Sequence, residues 1–342
     1  MVASSIIAGA FIVIAFMNSH PVKCAGGGGA NYSSLTNRES ANCMKGMAAI
    51  LIVFSHAHYY STNLGLMKLF KPFGYIGVSL FLFCSGYGVM HQYISNKNYL
   101  NGFLTKRLRC VYIPYLIATF MYALFIQNIN IEYGKLIKNV FLMDRILPFA
   151  WYVPVVLGWY LLFFAVLKII ENSKKACVIF LCANILWYII GYLLGLSSFY
   201  YNSTICLTLG CFVAVEKKVC QILSKLISLI VVAIAFMLSV ILLVLLGGKS
   251  NLIYSMCIFA SSILFVLFLL SIGTRITFEG AIPKTLGKYS YEIYLTQGIA
   301  YSLTYQISSK WENLFWICFV PMLVLTTVGL SLISKVIKNR RI

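Results

Sequence analysis

The sequence has very few acidic residues, with eight aspartates and glutamates against 27 lysines and arginines in a chain of 342 residues. Charged residues make up only 10% of the chain, whereas hydrophobic residues make up 61%. A soluble domain is about a quarter charged, so this composition excludes an ordinary soluble protein and predicts a polytopic membrane protein. In such a protein the basic excess collects in cytoplasmic loops, and it therefore does not indicate nucleic-acid binding.

Several signatures of catalysis and metal binding in soluble proteins are also missing. The eleven cysteines form no CxxC pair and show no metal-type spacing with histidine, so we interpret them as packing residues and expect no metal site. The sequence contains no GxSxG, no Walker loop, no HExxH and no GxGxxG that opens a helix. Any chemistry is therefore expected inside the helix bundle or at its two faces.

Apolar segments alternate with turn signals from Arg38 onward, which predicts an all-α protein with about ten transmembrane helices. Residues 1–36 are interpreted as a separate appendage, because residues 6–16 look like a signal-peptide core and a four-glycine linker at 26–29 follows. The membrane domain is then expected over residues 37–342. Its predicted spans are about 45–62, 74–94, 111–127, 150–169, 176–194, 203–215, 226–246, 252–272, 288–306 and 314–334.

The distribution of lysine and arginine predicts the orientation of these spans. If the segment before Lys45 is inside, the inner segments hold eighteen basic residues and the outer loops hold seven. This bias favours a membrane domain with both ends in the cytoplasm. The seven outer residues are Lys68, Lys71, Lys135, Lys138, Arg145, Lys249 and Lys310.

The first predicted span carries Lys45 and His56 on one helical face. Eleven residues turn a helix through roughly 1100°, close to three full rotations, and advance it by about 16 Å. That distance is about half the hydrocarbon thickness of a bilayer, so a lysine at the surface would place His56 near mid-membrane. A polar group at that depth indicates function. In the alternative reading, Lys45 is an interfacial anchor, and His56 and His58 belong to a wet helix end.

A basic cluster precedes the third predicted span, with Lys106, Arg107 and Arg109 close together. It is explained either by the orientation bias alone or by a cytoplasmic anion site, where guanidinium groups bind phosphates with two parallel hydrogen bonds. Glu292 opens the ninth span, where a carboxylate is costly unless it is paired, protonated or wet. A structural ion pair and a catalytic role both remain open for Glu292.

Two further segments combine small residues or aromatic residues with possible cavity positions. The second span, around Ser85, is rich in small residues that let transmembrane helices pack closely or lie beside a ligand tunnel. The fourth span opens with Trp151 and Tyr152, which are typical of the membrane interface, followed by Pro154, which can kink the helix.

Taken together, these blocks resemble the acyltransferase family 3 of multipass membrane O-acyltransferases, over about residues 38–342. The blocks that match stand in the family's order, and they are residues 45–56 with a basic-x10-His motif, 77–86, 106–115, 151–154 and 289–295. Two positions depart from the family pattern. Arg107 is followed three residues later by Cys110 instead of a second arginine, and Gln297 stands where many members have histidine.

The resemblance implies transfer of an acyl group, commonly acetyl, from cytosolic acyl-CoA to a sugar hydroxyl of a surface or exported glycan. Acyl-CoA would be a co-substrate, with no bound cofactor, and the protein would be a multipass protein of the plasma or inner membrane. Its partners would be the bilayer, acyl-CoA and a carbohydrate acceptor, without nucleic acid. The implied catalytic residues are His56, Lys45 and Glu292, the donor-binding residues are Lys106, Arg107 and Arg109, and the cavity-lining residues are Ser85, Trp151, Tyr291 and Gln297.

In this hypothesis neutral His56 accepts the proton of the acceptor hydroxyl, and Lys45 positions a donor phosphate. An acyl-histidine intermediate is an alternative route. A proton-coupled transporter or flippase is an alternative function, because lysine, histidine and glutamate inside a membrane also suit proton coupling. A third possible function is that of a catalytically inactive relative that serves assembly.

Overall fold

A computed structural model describes residues 2–21, 33–126, 133–247, 252–308 and 314–339. These residues form a helical bundle with one small two-stranded sheet, β1 Ser19–Pro21 and β2 Ile276–Phe278. A π-helical turn, Leu108–Tyr112, connects α4 to α5. The helices are α1 Val2–Met17, α2 Arg38–His56, α3 Gly74–Ser95, α4 Phe103–Arg107, α5 Ile113–Phe125, α6 Tyr133–Val140, α7 Tyr152–Ile169, α8 Ser173–Leu193, α9 Ile205–Val215, α10 Lys218–Leu223, α11 Leu226–Leu245, α12 Leu252–Gly273, α13 Ala281–Lys288, α14 Ser290–Ser308 and α15 Phe315–Asn339.

Eight helical segments of the described chain are long and apolar enough to cross a membrane. The prediction of an all-α polytopic membrane protein is thus confirmed, whereas the count of ten spans and the orientation stay predictions. Four basic residues used for the orientation, Lys249, Lys310, Arg340 and Arg341, lie outside the described residues. The eight segments are Gly65–Ser95, Phe103–Phe125, Tyr152–Ile169, Ser173–Leu193, Ser198–Val215, Leu226–Leu245, Leu252–Gly273 and Phe315–Ile337.

The two remaining predicted spans, 45–62 and 288–306, correspond to α2 and α14, which are helical but too polar to be among the eight. The two helices pack against each other, and most of α14 is buried. Lipid contact demands an apolar surface, but a helix surrounded by other helices can carry polar side chains if they find partners. The polarity of α2 and α14 therefore fits an interior position in the bundle.

The first described residues contact the bundle directly. In α1, the Phe11 ring packs edge-on against Phe54 and Phe70, at centroid distances of 5.3 and 5.9 Å. The Ser4 hydroxyl donates to the Asn63 carbonyl at 3.0 Å, and β1 pairs antiparallel with β2. Residues 2–21 of the predicted appendage thus pack on the same bundle as the rest of the chain. Residues 22–32, with the four glycines, lie outside the described residues.

Helices α3 and α9 cross at backbone contact, and small residues make this possible. A Cβ atom at Gly86 would overlap the carbonyl group of Leu207, and one at Gly210 would overlap the carbonyl oxygen of Phe83. Backbones approach this closely only where no side chain stands between them. The crossing fixes α3 in the bundle and thereby the position of Ser85.

We expect Gly86→Ala to lower the stability of the protein in detergent, because the added methyl group must push α9 away. Overpacking of this kind costs about 1–3 kcal/mol. The matched control is Gly88→Ala on the same helix, since a Cβ there meets nothing within 4 Å. Thermal unfolding followed by fluorescence-detected size exclusion measures both variants. Equal melting temperatures for the two variants would contradict the tight crossing.

Candidate active site

A basic cavity of about 430 Å³ lies between α2, α3, α4, α7 and α14. It brings together five predicted site residues from four separate parts of the sequence. This end of the bundle is where α2 begins. The lining residues are Lys45, Phe81, Cys84, Ser85, Gly88, Val89, Gln92, Tyr99, Lys106, Arg107, Cys110, Val111, Tyr152, Val156, Tyr160, Ser290 and Tyr291.

Arg107 is the most firmly held cation in this cavity. Its guanidinium donates a hydrogen bond to the Tyr99 hydroxyl at 2.7 Å and lies over the rings of Phe103 and Tyr160, at 4.9 and 4.5 Å. Burial raises the pKa of Tyr99 although Arg107 opposes the shift, so Tyr99 stays a neutral phenol. The buried Arg107 Nε has no hydrogen-bond partner among the described residues. Arg107 therefore places a firmly held positive charge at the cavity wall.

Arg109 is exposed on the π-helical turn and is not one of the residues that line this cavity. The cavity is lined instead by Arg107, Cys110 and Val111, which are three and four residues apart and share one helical face. The position three residues after Arg107 thus lines the cavity, and it carries the exposed thiol of Cys110.

Lys45 lies in the first half of α2 and His56 is its last residue, and the face between them is packed. Ala49 and Ile52, which share that face, are 0% and 1% exposed. Ile52 packs so closely on α3 that a Cβ at Gly77 would lie 2.6 Å from its Cγ1 atom. The basic cavity stops before it reaches His56, since His56 is not one of its lining residues. The stripe from Lys45 to His56 is therefore not an open passage in this structure.

His56 is oriented by a buried amide from α14. The His56 Nδ1 atom lies 3.0 Å from the Gln297 Oε1 atom, and the Gln297 Nε2 atom donates to the Tyr294 carbonyl at 3.0 Å. Because the amide nitrogen is already directed at a carbonyl, its oxygen faces the imidazole and must accept from Nδ1–H. The other ring nitrogen, Nε2, then carries a lone pair, and no described residue hydrogen-bonds it. Gln297 thus contacts His56 and does not line the basic cavity.

A network of tyrosines separates the basic cavity from His56. The Ser85 and Tyr152 hydroxyls are 3.2 Å apart, and the Tyr152 backbone N–H donates to the Tyr294 hydroxyl at 3.2 Å. The Tyr294 hydroxyl in turn donates to the carbonyl oxygen of Phe149. Tyr294 was not predicted as a site residue. Its position three residues before Gln297, on the same helical face, is the signal that identifies it.

Two other predicted site residues are not brought into this arrangement. Glu292 lies half-buried in the first turn of α14 and does not line the basic cavity. Trp151 is buried, but it packs against Phe199 and Tyr200, at centroid distances of 5.3 and 6.4 Å. Within the described ranges, no group of three His, Cys, Asp or Glu side chains is arranged to hold a metal ion.

The fold and the cavity define a class, a helical membrane protein with a basic cavity at one end and an oriented histidine deeper in the bundle. Comparison with known protein families identifies the class of reaction. The family model Acyl_transf_3, described as an acyltransferase domain, matches residues 38–335. The chain therefore belongs to this acyltransferase family, and it is a membrane acyltransferase. No curated protein and no solved structure matches it.

We expect Gln297→Leu to destabilise the protein, because it leaves the buried Nδ1–H group of His56 without its acceptor. A buried polar group left unpaired costs about 1–3 kcal/mol. The control is Gln92→Leu, since Gln92 is exposed at the rim of the basic cavity. Thermal unfolding of the purified proteins measures the difference. Equal melting temperatures would mean that the amide does not hold the imidazole.

Proposed function

We propose that this acyltransferase moves an acyl group, most simply acetyl, from acyl-CoA to a hydroxyl of a cell-surface or exported glycan. The observation that carries the proposal is the imidazole of His56, held through Nδ1 by Gln297 with Nε2 left as a proton acceptor. It stands on the same helix as Lys45, which lines the basic cavity. A base and an anion-binding cavity on one rigid element suit acyl transfer from a phosphate-bearing donor.

The basic cavity suits the nucleotide end of acyl-CoA. Arg107 offers a guanidinium held in a fixed position, and Lys45 and Lys106 add two further cations. Guanidinium groups bind phosphate through directed, charge-assisted hydrogen bonds, and lysines bind it as point charges. Because acyl-CoA is cytosolic, this assignment places the basic end of the bundle in the cytoplasm. The excess of lysine and arginine in the segments at that end supports the same orientation.

The opposite end of α2 offers a pocket suited to a carbohydrate. An aromatic pocket of about 290 Å³ begins two residues after His56 and combines ring faces with hydroxyl groups. Sugars present both apolar C–H faces and hydroxyls, and pockets that bind small polar ligands place a few polar groups among aromatic walls. We assign the acceptor to this aromatic pocket, which is lined by His58, Tyr59, Tyr60, Ser61, Thr62, Tyr305, Ser308 and Phe315.

The proposed reaction uses His56 as general base. The acceptor hydroxyl loses its proton to Nε2 of His56 while its oxygen bonds to the acyl carbon, and the C–S bond of the thioester breaks. The CoA thiolate leaves and takes up one proton, and His56 returns to its neutral form after releasing the proton it accepted. Gln297 holds the imidazole throughout, so that Nε2 stays directed at the acceptor.

Tyr152 and Tyr294, which together we call the tyrosine wall, must move apart for this reaction. Tyr152 lines the basic cavity and Tyr294 lies behind it, with ring centroids 5.6 Å apart. The thioester must pass this pair to reach His56. The hydrogen bond between the Tyr152 and Ser85 hydroxyls is the contact that the entering acyl arm exchanges for its own.

His56→Ala tests the base directly. We expect kcat for acyl transfer to fall by about 10²- to 10⁴-fold, which is the usual contribution of a positioned general base. The matched control is His58→Ala, which alters the aromatic pocket and should raise the acceptor KM while leaving most of kcat. Assays use membranes with equal amounts of folded protein. Wild-type kcat in His56→Ala would refute the proposal, and loss of kcat in His58→Ala alone would move the base to His58.

Arg107→Ala tests the donor site. Loss of charge-assisted hydrogen bonds to phosphate should raise the KM for acyl-CoA by about 10- to 100-fold. Arg109→Ala serves as the control, because Arg109 is exposed outside the basic cavity and should change this KM little. Isothermal titration with CoA gives an independent measure of affinity. Equal effects of the two substitutions would show that only overall charge at this end matters.

A further inference from the structure

Phe149 adopts a strained backbone conformation directly on the proposed base. Its φ angle is +63°, in the left-handed region that non-glycine residues rarely adopt. Its ring stacks on the imidazole of His56 with centroids 3.9 Å apart and planes 11° from parallel. Strained conformations persist only where the surrounding structure enforces them, and they concentrate at functional sites. The strain and the stack together single out this residue.

Helix α14 holds Phe149 in this place at two points. The Tyr294 hydroxyl donates to the Phe149 carbonyl oxygen. The preceding residue, Pro148, lies so close to α14 that a Cβ at Gly298 would come within 3.0 Å of it. Tyr294 and Gly298 flank Gln297 on the same helical face. The same stretch of helix therefore positions the edge of the imidazole through Gln297 and its flat face through Phe149.

These two contacts define the orientation of the imidazole. The Gln297 hydrogen bond fixes the direction of Nδ1, but it still permits the ring to turn about that bond. A parallel ring at 3.9 Å removes that freedom. The remaining open edge of the imidazole carries Nε2.

We propose that Phe149 is a positioning residue of the acyl-transfer reaction, whose ring clamps the face of His56 and thereby aims Nε2 at the acceptor hydroxyl. This inference rests on the proposed function, because it acts through His56 as the base. The ring has a second effect when His56 accepts a proton. An aromatic face attracts a cation stacked on it, so Phe149 stabilises the imidazolium that forms in the transition state.

Phe149→Leu is the first test, because leucine keeps an apolar side chain but has no aromatic face. We expect kcat to fall by about tenfold while the KM for acyl-CoA stays unchanged, since the donor binds in the basic cavity at the other end of α2. Phe149→Tyr and Phe149→Trp keep a ring and should retain kcat within about threefold. If Phe149 served in packing alone, kcat would not differ between the leucine variant and the two aromatic variants in this way.

The backbone strain supplies a second test with a matched control. Leu142, seven residues earlier in the same connecting segment, has the same left-handed conformation, with a φ angle of +62°. Glycine suits both positions, so Leu142→Gly and Phe149→Gly should both fold, even where Phe149→Leu does not. We expect Phe149→Gly to lose kcat as Phe149→Leu does, and Leu142→Gly to keep it.

The outcomes separate this inference from the proposed function. If His56→Ala loses activity while Phe149→Leu and Phe149→Gly keep wild-type kcat, Phe149 is not a positioning residue, whereas His56 remains the proposed base. If His56→Ala keeps wild-type activity, the proposed function fails, whatever the Phe149 variants do. A rise in the acyl-CoA KM without loss of kcat in the Phe149 variants would also overturn the clamp.

Discussion

The hydrogen bond between His56 on α2 and Gln297 on α14 is the contact on which the candidate site depends. Inside a membrane bundle a polar side chain has neither water nor lipid to bind, so it must find its partner on another helix. The contact satisfies both residues at once and ties together the two helices that are too polar to be classed as membrane spans. The helices α2 and α14 can carry polar side chains because they face other helices and not lipid, and these side chains find partners there. The same contact fixes the proton on Nδ1 and leaves Nε2 as the acceptor.

Hydropathy and helical periodicity predict much of this architecture, because both are local properties of the sequence. Eight predicted spans coincide with apolar helices, and α2 and α14 are helical where spans one and nine were placed. The eleven-residue spacing of Lys45 and His56 holds along α2. The family resemblance predicts Ser85 and Tyr291 as cavity-lining residues and Arg107 as a donor-binding residue, and all three line the basic cavity.

Long-range contacts set the parts that the sequence does not reveal. Cys110 and not Arg109 lines the basic cavity, and the local sequence does not show which face of this segment packs beside the cavity. Gln297 was expected in a cavity wall, whereas it holds His56, because its partner stands 241 residues away in the sequence. Phe149 comes from a connecting segment, where neither hydropathy nor spacing carries a signal. The sequence therefore predicts which segments form helices, but it does not predict which of these helices pack against each other.

The packed face between Lys45 and His56 bears on how such a site can work across a membrane. A continuous polar passage between the basic cavity and the aromatic pocket would admit water, which would hydrolyse a thioester and conduct protons. In the proposed reaction, Tyr152 and Tyr294 close this route until the donor enters. An acyl arm that fills the opening between Tyr152 and Tyr294 excludes water by its own volume. The two tyrosines then need to move apart only when the donor is bound. Ala49 and Ile52, buried on the face of α2 between Lys45 and His56, leave no continuous polar path along that face in this structure, so in the proposed reaction a donor that reaches His56 must displace side chains on its way.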